Sequence, residues 1–352
     1  MKKLLTMILT LTLSFTMVFS LTACDGAEKG VYLLSLSDSV MNEFIADNKI
    51  DGKYDVYGKQ EITNDQYDFI SATDSVKTIG VSATYIVDNS LSEEQVYKIT
   101  KALWESKGSI GHSVESTMDI NKALITIGNV PIHAGAAKYY KEQGIEIADD
   151  RIAPAGTDII SNVNIRTGGT GGTYYAFTNG LQTPLAQKSG YNFTVLTSGG
   201  SVESLKKIGD DCKMAIVQND TMVNAYNGLT SNFADGAKTN FSVIGEVYPE
   251  VMQIVTNDSS IKTLADLKGS NKVVSIGAIG SGVEANAVAL LKKYGIDMKQ
   301  DANGKYTSSD ITIENLSVAD SADGMKDEVI DVFFFTSGAP ATSITELALA
   351  LK

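Results

Sequence analysis

Thr167-Gly168-Gly169-Thr170-Gly171-Gly172-Thr173-Tyr174-Tyr175 stands between two stretches of different period. Val163 to Thr167 is short and β-branched, the pattern of a strand, and Tyr174 to Lys188 carries apolar residues at helical spacing. Consecutive glycines let the main chain adopt positive φ and approach a ligand closely. The helix that follows leaves its first N–H groups unpaired and pointing into the space above the turn. Strand, glycine turn and helix together make an anion site that needs no charged side chain. Such a turn serves equally as a plain reversal of the chain.

The same arrangement returns at Gly277-Ala278-Ile279-Gly280-Ser281-Gly282-Val283-Glu284, and in weaker form at Thr197-Ser198-Gly199-Gly200-Ser201, where Ser201 is the expected N-cap. Around these turns, strands expected at Tyr191–Leu196, Met214–Val217, Val243–Val247, Met252–Thr256, Lys272–Ile276, Ile311–Leu316 and Val329–Phe335 alternate with helices. The helices are expected at Ser201–Ile208, Thr221–Tyr226, Gly282–Tyr294, Ser321–Asp327 and Ala341–Leu351. Alternation of this kind implies parallel sheets with helices on both faces.

Upstream the pattern is less regular. Val31–Leu36 and Thr78–Val87 read as strands, and Ser39–Ala46 as a short helix capped by Asp38 or Ser39. Ser90-Leu91-Ser92-Glu93 has capping-box spacing with Ser90 as cap, opening a helix to about Glu105. Helices are also expected over Asn121–Ile127 and over Ala134–Gln143, the second stopped by Gly144. Glu146 to Asn162 reads as a connecting segment.

Composition narrows the function. The chain has 352 residues, 43% of them hydrophobic, enough for two domains with real cores. A net charge of −13 argues against nucleic acid, which needs clustered Lys and Arg. The only arginines are Arg151 and Arg166, so an anionic ligand has to be held by main-chain groups. Met1-Lys2-Lys3, the apolar run Leu4–Leu21 and Leu21-Thr22-Ala23-Cys24 read as a signal peptide with a lipobox over residues 1–24, lipidated at Cys24. The alternative is an uncleaved membrane anchor. Lipidation would leave Cys212 alone, a buried inert thiol on the approach to a strand. Two histidines, His112 and His133, and no cysteine cluster make a metal site improbable. No cofactor is expected, since no turn spells the dinucleotide or P-loop pattern. Adjacent Asp149-Asp150 and Asp210-Asp211 are loop charges, and Ser281 lacks a convincing base, so the chain does not read as an enzyme.

From Thr167 onward the sequence resembles the TAXI family, the solute receptors of one branch of the tripartite ATP-independent periplasmic (TRAP) transporters. The resemblance is carried by TGGTGGTYYAFTNGLQTPLA (167–186), SGGSVESLKKI (198–208), AIVQND (215–220) and YPEVMQIVTNDSSIKTLADLKG (248–269). It continues in VVSIGAIGSGVEANA (273–287) and DVFFFTSGAPATSITELA (331–348). VSATYIVDNSLSEEQVYKITKALWES (81–106) and PIHAGAAKYYKEQG (131–144) resemble the family's closing region, yet they come first here. The order therefore looks circularly permuted, with Glu146–Asn162 bridging the family's usual ends and Lys352 expected near Gly30.

The resemblance implies a type II periplasmic-binding-protein fold: two α/β lobes with mostly parallel sheets joined by a hinge. Lobe I would span 79–258, and lobe II 25–78 plus 259–352. The implied ligand is a small carboxylate or amino acid, glutamate- or glutamine-like, passed to integral membrane TRAP permease subunits. A lipid-anchored sensor of the same fold is the alternative. The implied binding residues are Gly171, Gly172, Thr173, Tyr174, Ser198, Ser201, Gln218, Ala278, Gly280, Ser281, Gly282 and Glu284. Glu284 would meet a ligand ammonium or stand as a surface helix carboxylate.

Overall fold

A computed structural model describes residues 30–301 and 304–352. The basic head, apolar run, lipobox and Cys24, with the tether to Lys29, lie outside the described residues. The strands in the first half of the chain are β1 (Tyr32–Leu33), β2 (Gly58–Ile62), β3 (Val76–Asp88), β4 (Ile132–His133), β5 (Ile152–Ala153), β6 (Asn162–Arg166) and β7 (Asn192–Leu196). There follow β8 (Met214–Gln218), β9 (Phe241–Thr256), β10 (Val273–Ser275), β11 (Lys299–Gln300), β12 (Tyr306–Thr307), β13 (Thr312–Glu314) and β14 (Val332–Ser337). The helices are α1 (Asp38–Asp47), α2 (Glu93–Glu105), α3 (Ala134–Glu142), α4 (Thr173–Ser189) and α5 (Ser201–Lys207). They continue with α6 (Asn219–Asn227), α7 (Gly282–Lys293), α8 (Val318–Lys326) and α9 (Thr342–Ala350).

The main sheet runs β13-β10-β14-β9-β3-β8-β6-β7. Each end is a parallel triplet, β7-β6-β8 in one lobe and β13-β10-β14 in the other. Each triplet is closed on its inner side by a long antiparallel strand, β3 beside β8 and β9 beside β14. The two long strands then pair with each other from Gly80↔Val251 to Asp88↔Phe241, joining the lobes into one curled sheet. The α/β class and two-lobed build expected from the sequence are the ones observed.

Burial on both faces explains the apolar runs. In β14, Val332 and Phe334 enter a core with α1 and α7 residues such as Phe44 and Leu291. Phe333 and Phe335 enter a second core with Ile344 and Leu347 of α9. Successive side chains point to opposite faces, so a strand covered on both sides must be apolar at every position. β9 shows the same alternation beyond the crossing: Met252 and Ile254 on one face, Val251 and Val255 on the other. Its earlier residues, Phe241 to Tyr248, belong to the core of the first lobe with Tyr85, Ile86 and Val87 of β3.

The sequence reading gives two strands here, Val243–Val247 and Met252–Thr256; the structure has one continuous strand through Pro249. Proline lacks an N–H for the ladder, and Pro249 lies opposite Ser82 at the edge of a register shift. Side chains meet the exposed groups: Ser82 N–H donates to Asn219 Oδ1 (2.9 Å), and Thr84 Oγ1 donates to Ser82 O (3.3 Å).

Other boundaries differ for local reasons. The cap of α2 is Ser92, which accepts from Gln95 N, because Leu91 and Ser92 bridge to Asp158 and Gly156 and Ser90 lies in the turn before them. Ser37 caps α1, and Gly200, not Ser201, is the N-cap of α5. The helix expected over Asn121–Ile127 is only a 3-10 turn, Ile120–Lys122, after another at Ser113–Thr117. Backbone N–H groups of Ile125 and Thr126 go instead to Glu246. α8 begins three residues before its expected start, capped by Ser317. Cys212 is buried, its thiol pushed up to about 12 by burial. His133 caps α3, and burial pulls it down to about 4.

At Gly80, where β3 meets β9, any Cβ would collide with the Glu250 carbonyl and the Gln60 side chain. Gly80→Ala is therefore expected to lose about 1–3 kcal/mol of stability through overpacking, read as a lower urea midpoint. An unchanged midpoint would mean that the crossing is not close-packed.

Candidate functional site

A cavity of about 280 Å³ lies between the lobes, above the crossing of β3 and β9. Of the twelve residues nominated from sequence, ten line it: Gly171, Gly172, Thr173, Tyr174, Ser198, Ser201, Gln218, Ala278, Ser281 and Gly282. They come from four separate turns, and the topology brings them together because each turn sits at the carboxyl end of a parallel strand.

The turns are braced against one another by short bonds. The Ser198 hydroxyl donates to Thr167 O (2.5 Å) and accepts from Gly200 N (2.9 Å), locking the first turn to the one before α5. Ser201 Oγ accepts from Gln218 N (3.0 Å). Ser281 caps α7 by accepting from Glu284 N (3.1 Å). Across the cleft, Ser343 Oγ donates to Gly171 O (3.3 Å). A Cβ at Gly282 would overlap the Gln218 amide oxygen, so glycine there lets the lobes meet.

Helix starts supply the site's positive potential. The first intrahelical bond of α4 runs from Ala176 N to Gly172 O (3.3 Å), which leaves the N–H groups of Thr173, Tyr174 and Tyr175 without an intrahelical acceptor. Gly172 caps without a side chain, so nothing at the cap competes for those donors. Gly282 and Val283 at the start of α7 stand likewise, and Ser317, Val318 and Ala319 at the start of α8 close one wall. The lining contains no lysine, arginine or histidine. Both arginines are engaged elsewhere: Arg166 with Asp211 and Glu203, Arg151 with the carbonyls of Gly128 and Val130.

Two nominated residues take another place. Glu284 does not line the cavity; its carboxylate accepts from Gly280 N (2.9 Å) and Asn315 Nδ2 (2.9 Å), bracing its own turn. Gly280 is also outside the lining, its N–H spent on that bond.

The carboxyl that does line the cavity is Glu250, on β9. It is 1% exposed and accepts from Tyr174 OH (2.5 Å) through Oε2. Burial, with Asp220 nearby, raises its pKa to about 8. The sequence did carry a signal for it: an acidic residue inside the apolar run VYPEVMQIVT must be buried if that run is one strand. Behind it, Asp220 accepts from Tyr57 OH (2.8 Å) and from Asn286 Nδ2 (2.7 Å) of α7, a hydrogen-bonded bridge between lobes. A second, wider depression of about 920 Å³ is lined by Trp104, Met118, Tyr139 and Glu246. No helix of eight or more residues starts there, and Glu246 is taken up by Ile125 N, Thr126 N and the Thr126 hydroxyl.

Residues 17–144 and 165–351 match the model of the NMT1-like family. Among solved structures, the chain is matched to a substrate binding protein from Microbacterium hydrocarbonoxydans complexed with 4-hydroxybenzoate hydrazide. Identity is 12% and the TM-score 0.28, over 71% of this chain and 48% of that one; the match thus spans about half of that protein's length.

Glu246 and Glu250 have pKa values raised by burial to about 7 and about 8, against 4.5 when unfolded. Between those limits the two carboxyls hold more protons in the folded state than in the unfolded one, so their contribution to stability is full below about pH 4.5 and declines as pH rises to about 8. Each group contributes at most about 1.4 kcal/mol per pH unit. Chemical unfolding at pH 6.5, 7, 7.5 and 8, above the range in which buried His133 acts in the opposite sense, should show this decline, and Glu250→Gln should make it shallower. A profile rising across that range would contradict the buried, neutral carboxyls.

Proposed function

The chain belongs to the NMT1-like family, and from that membership and the anatomy of the cavity we propose that it is an extracytoplasmic solute-binding protein. In this reading it captures a small carboxylate or amino acid, glutamate- or glutamine-like, and delivers it to a TRAP-type membrane permease. The observation that carries it is the convergence of ten nominated residues, with the starts of α4 and α7, on one cavity of about 280 Å³. That volume sits at the small end of ligand sites. Helix N-termini favour anions, and their pull is strengthened where water is excluded. The role is binding, not catalysis.

The proposed lobes are 79–258 and 25–78 with 259–352, the end of β9 from Val251 to Val255 packing into the cores of the second. Closure would be a hinge motion in the middle of β3 and β9, where the core membership of each strand changes. A circularly permuted order relative to the TAXI receptors is supported by two observations. Val31 shares a hydrophobic cluster with Leu347 of α9, so the two ends of the described chain approach one another, and residues 145–164 lie outside the family match. Lipidation at Cys24 would hold the receptor at the membrane surface.

Thermal unfolding of the purified protein with glutamate, glutamine, 2-oxoglutarate, succinate and a neutral amino acid tests the ligand class. A ligand at 100 times its dissociation constant adds about 2.7 kcal/mol, so a selective rise in midpoint is expected. A midpoint unmoved by every compound would refute the proposed ligand class. For the anchor, Cys24→Ser should shift the protein from the membrane fraction to the soluble one; retention in the membrane would exclude lipid attachment at that residue.

A further inference from the structure

The cavity has two chemically opposite poles. One is built of donors, the N–H groups of Thr173 and Tyr174 at the start of α4 and of Gly282 and Val283 at the start of α7. The other is built of acceptors. Gln218 is 2% exposed, lines the cavity, and its Oε1 has no donor among the described residues. Glu250 receives a single side-chain hydrogen bond, from Tyr174. Both flank β3, Gln218 opposite Ala83 and Glu250 opposite Val81, so an offset of two residues puts them on the same face of the sheet.

A buried carboxyl without a cation is costly unless it stays neutral. The titratable groups packed around Glu250 are Tyr174 from α4, Asp220 from α6 and Tyr248 from its own strand, none of them basic. Asp220 is itself occupied by Tyr57, Asn286 and Thr221. The missing complement is a compact cation with several donors, and an ammonium offers three.

We propose that Glu250 and Gln218 form the pocket for a primary ammonium group, so that the ligand is a zwitterionic amino acid whose carboxylate faces the helix starts and whose capture expels a proton from Glu250. The proton balance is simple. The protonated carboxyl gives its proton to solvent, and the carboxylate left behind pairs with the ligand's ammonium. This rests on the reading of the cavity as a receptor site, and it makes Glu250 the residue that separates amino acids from plain carboxylates.

The test is calorimetric titration of the purified protein with L-glutamate, L-glutamine and L-alanine, and with their counterparts lacking the amino group, glutarate, glutaramate and propionate. Titrations run from pH 6 to 9, in two buffers of different ionisation enthalpy. At least one amino acid should bind and outcompete its counterpart. Its affinity should rise about tenfold per pH unit up to about 8 and then level, with close to one proton released at pH 7. Glu250→Gln should flatten that slope and weaken the amino acid while sparing its counterpart. The unmutated protein's pH profile decides alone if the variant does not fold. Equal binding of an amino acid and its counterpart, or affinity that is flat or falls with pH, overturns the inference and leaves the receptor standing. Binding of none of the six removes the proposed ligand class, and the inference with it.

Discussion

The antiparallel pairing of β3 with β9 is the constraint from which the rest of the molecule follows. The path through the main sheet passes from one parallel triplet to the other only across this pair. Each long strand serves one lobe's core at one end and the other lobe's core at the other: Ile79 against Tyr85 on β3, Ile254 against Val243 on β9. The crossing is tight because Gly80 has no Cβ and because the irregular register around Ala83 is stitched by Asn219 and Thr84. In the proposed closure, moving one lobe against the other would flex these two paired strands. The cavity sits above the crossing for the same reason, since the parallel strands of both triplets end there and open their helix starts toward each other.

In the proposed role, an acidic protein with two arginines, both engaged elsewhere, would meet a particular electrostatic problem in holding an anion. The cavity offers main-chain dipoles for that task, fixed in place by the hydroxyls of Ser198, Ser201 and Ser281. Those serines are half of a rigid frame; the glycines are the other half, chosen where a side chain would block approach, as at Gly282 against Gln218. Preorganised N–H groups need no reorientation when an anion arrives, so little of the interaction energy is lost in ordering the site. Arg166 instead ties β6 to Glu203 of α5 and to Asp211, outside the cavity.

Much of this was legible because it depends on local rules. Glycine turns between a short β-branched run and a helical run specify where helix starts open, and ten of twelve nominated residues meet in one cavity. What was not legible depended on partners far along the chain. Pro249 disfavours a continuous strand by its own chemistry; only Ser82, Thr84 and Asn219, more than 25 residues away by number, remove the reason for a break. Glu284 reads as a contact for a ligand ammonium or as a surface helix carboxylate, and Asn315, on a distant segment, claims it. Ser90 and Ser92 offer the same capping chemistry two residues apart, and the bridge to Asp158 decides between them.

Glu250 belongs to the same class of long-range effect, and it shows why the misread strand and the missed site residue are one error. A carboxyl placed in a loop between two strands would be solvated, ionised and unremarked. The same carboxyl in the middle of a continuous strand is forced into the interior at the crossing, where Tyr174 is its hydrogen-bond donor and Asp220 its like-charged neighbour. Its neutrality near pH 7 then follows from position alone. The strand that joins the lobes thereby places in the cleft a group whose charge depends on what it faces. In the proposed closure, the element that bends would also be the element that reads the ligand.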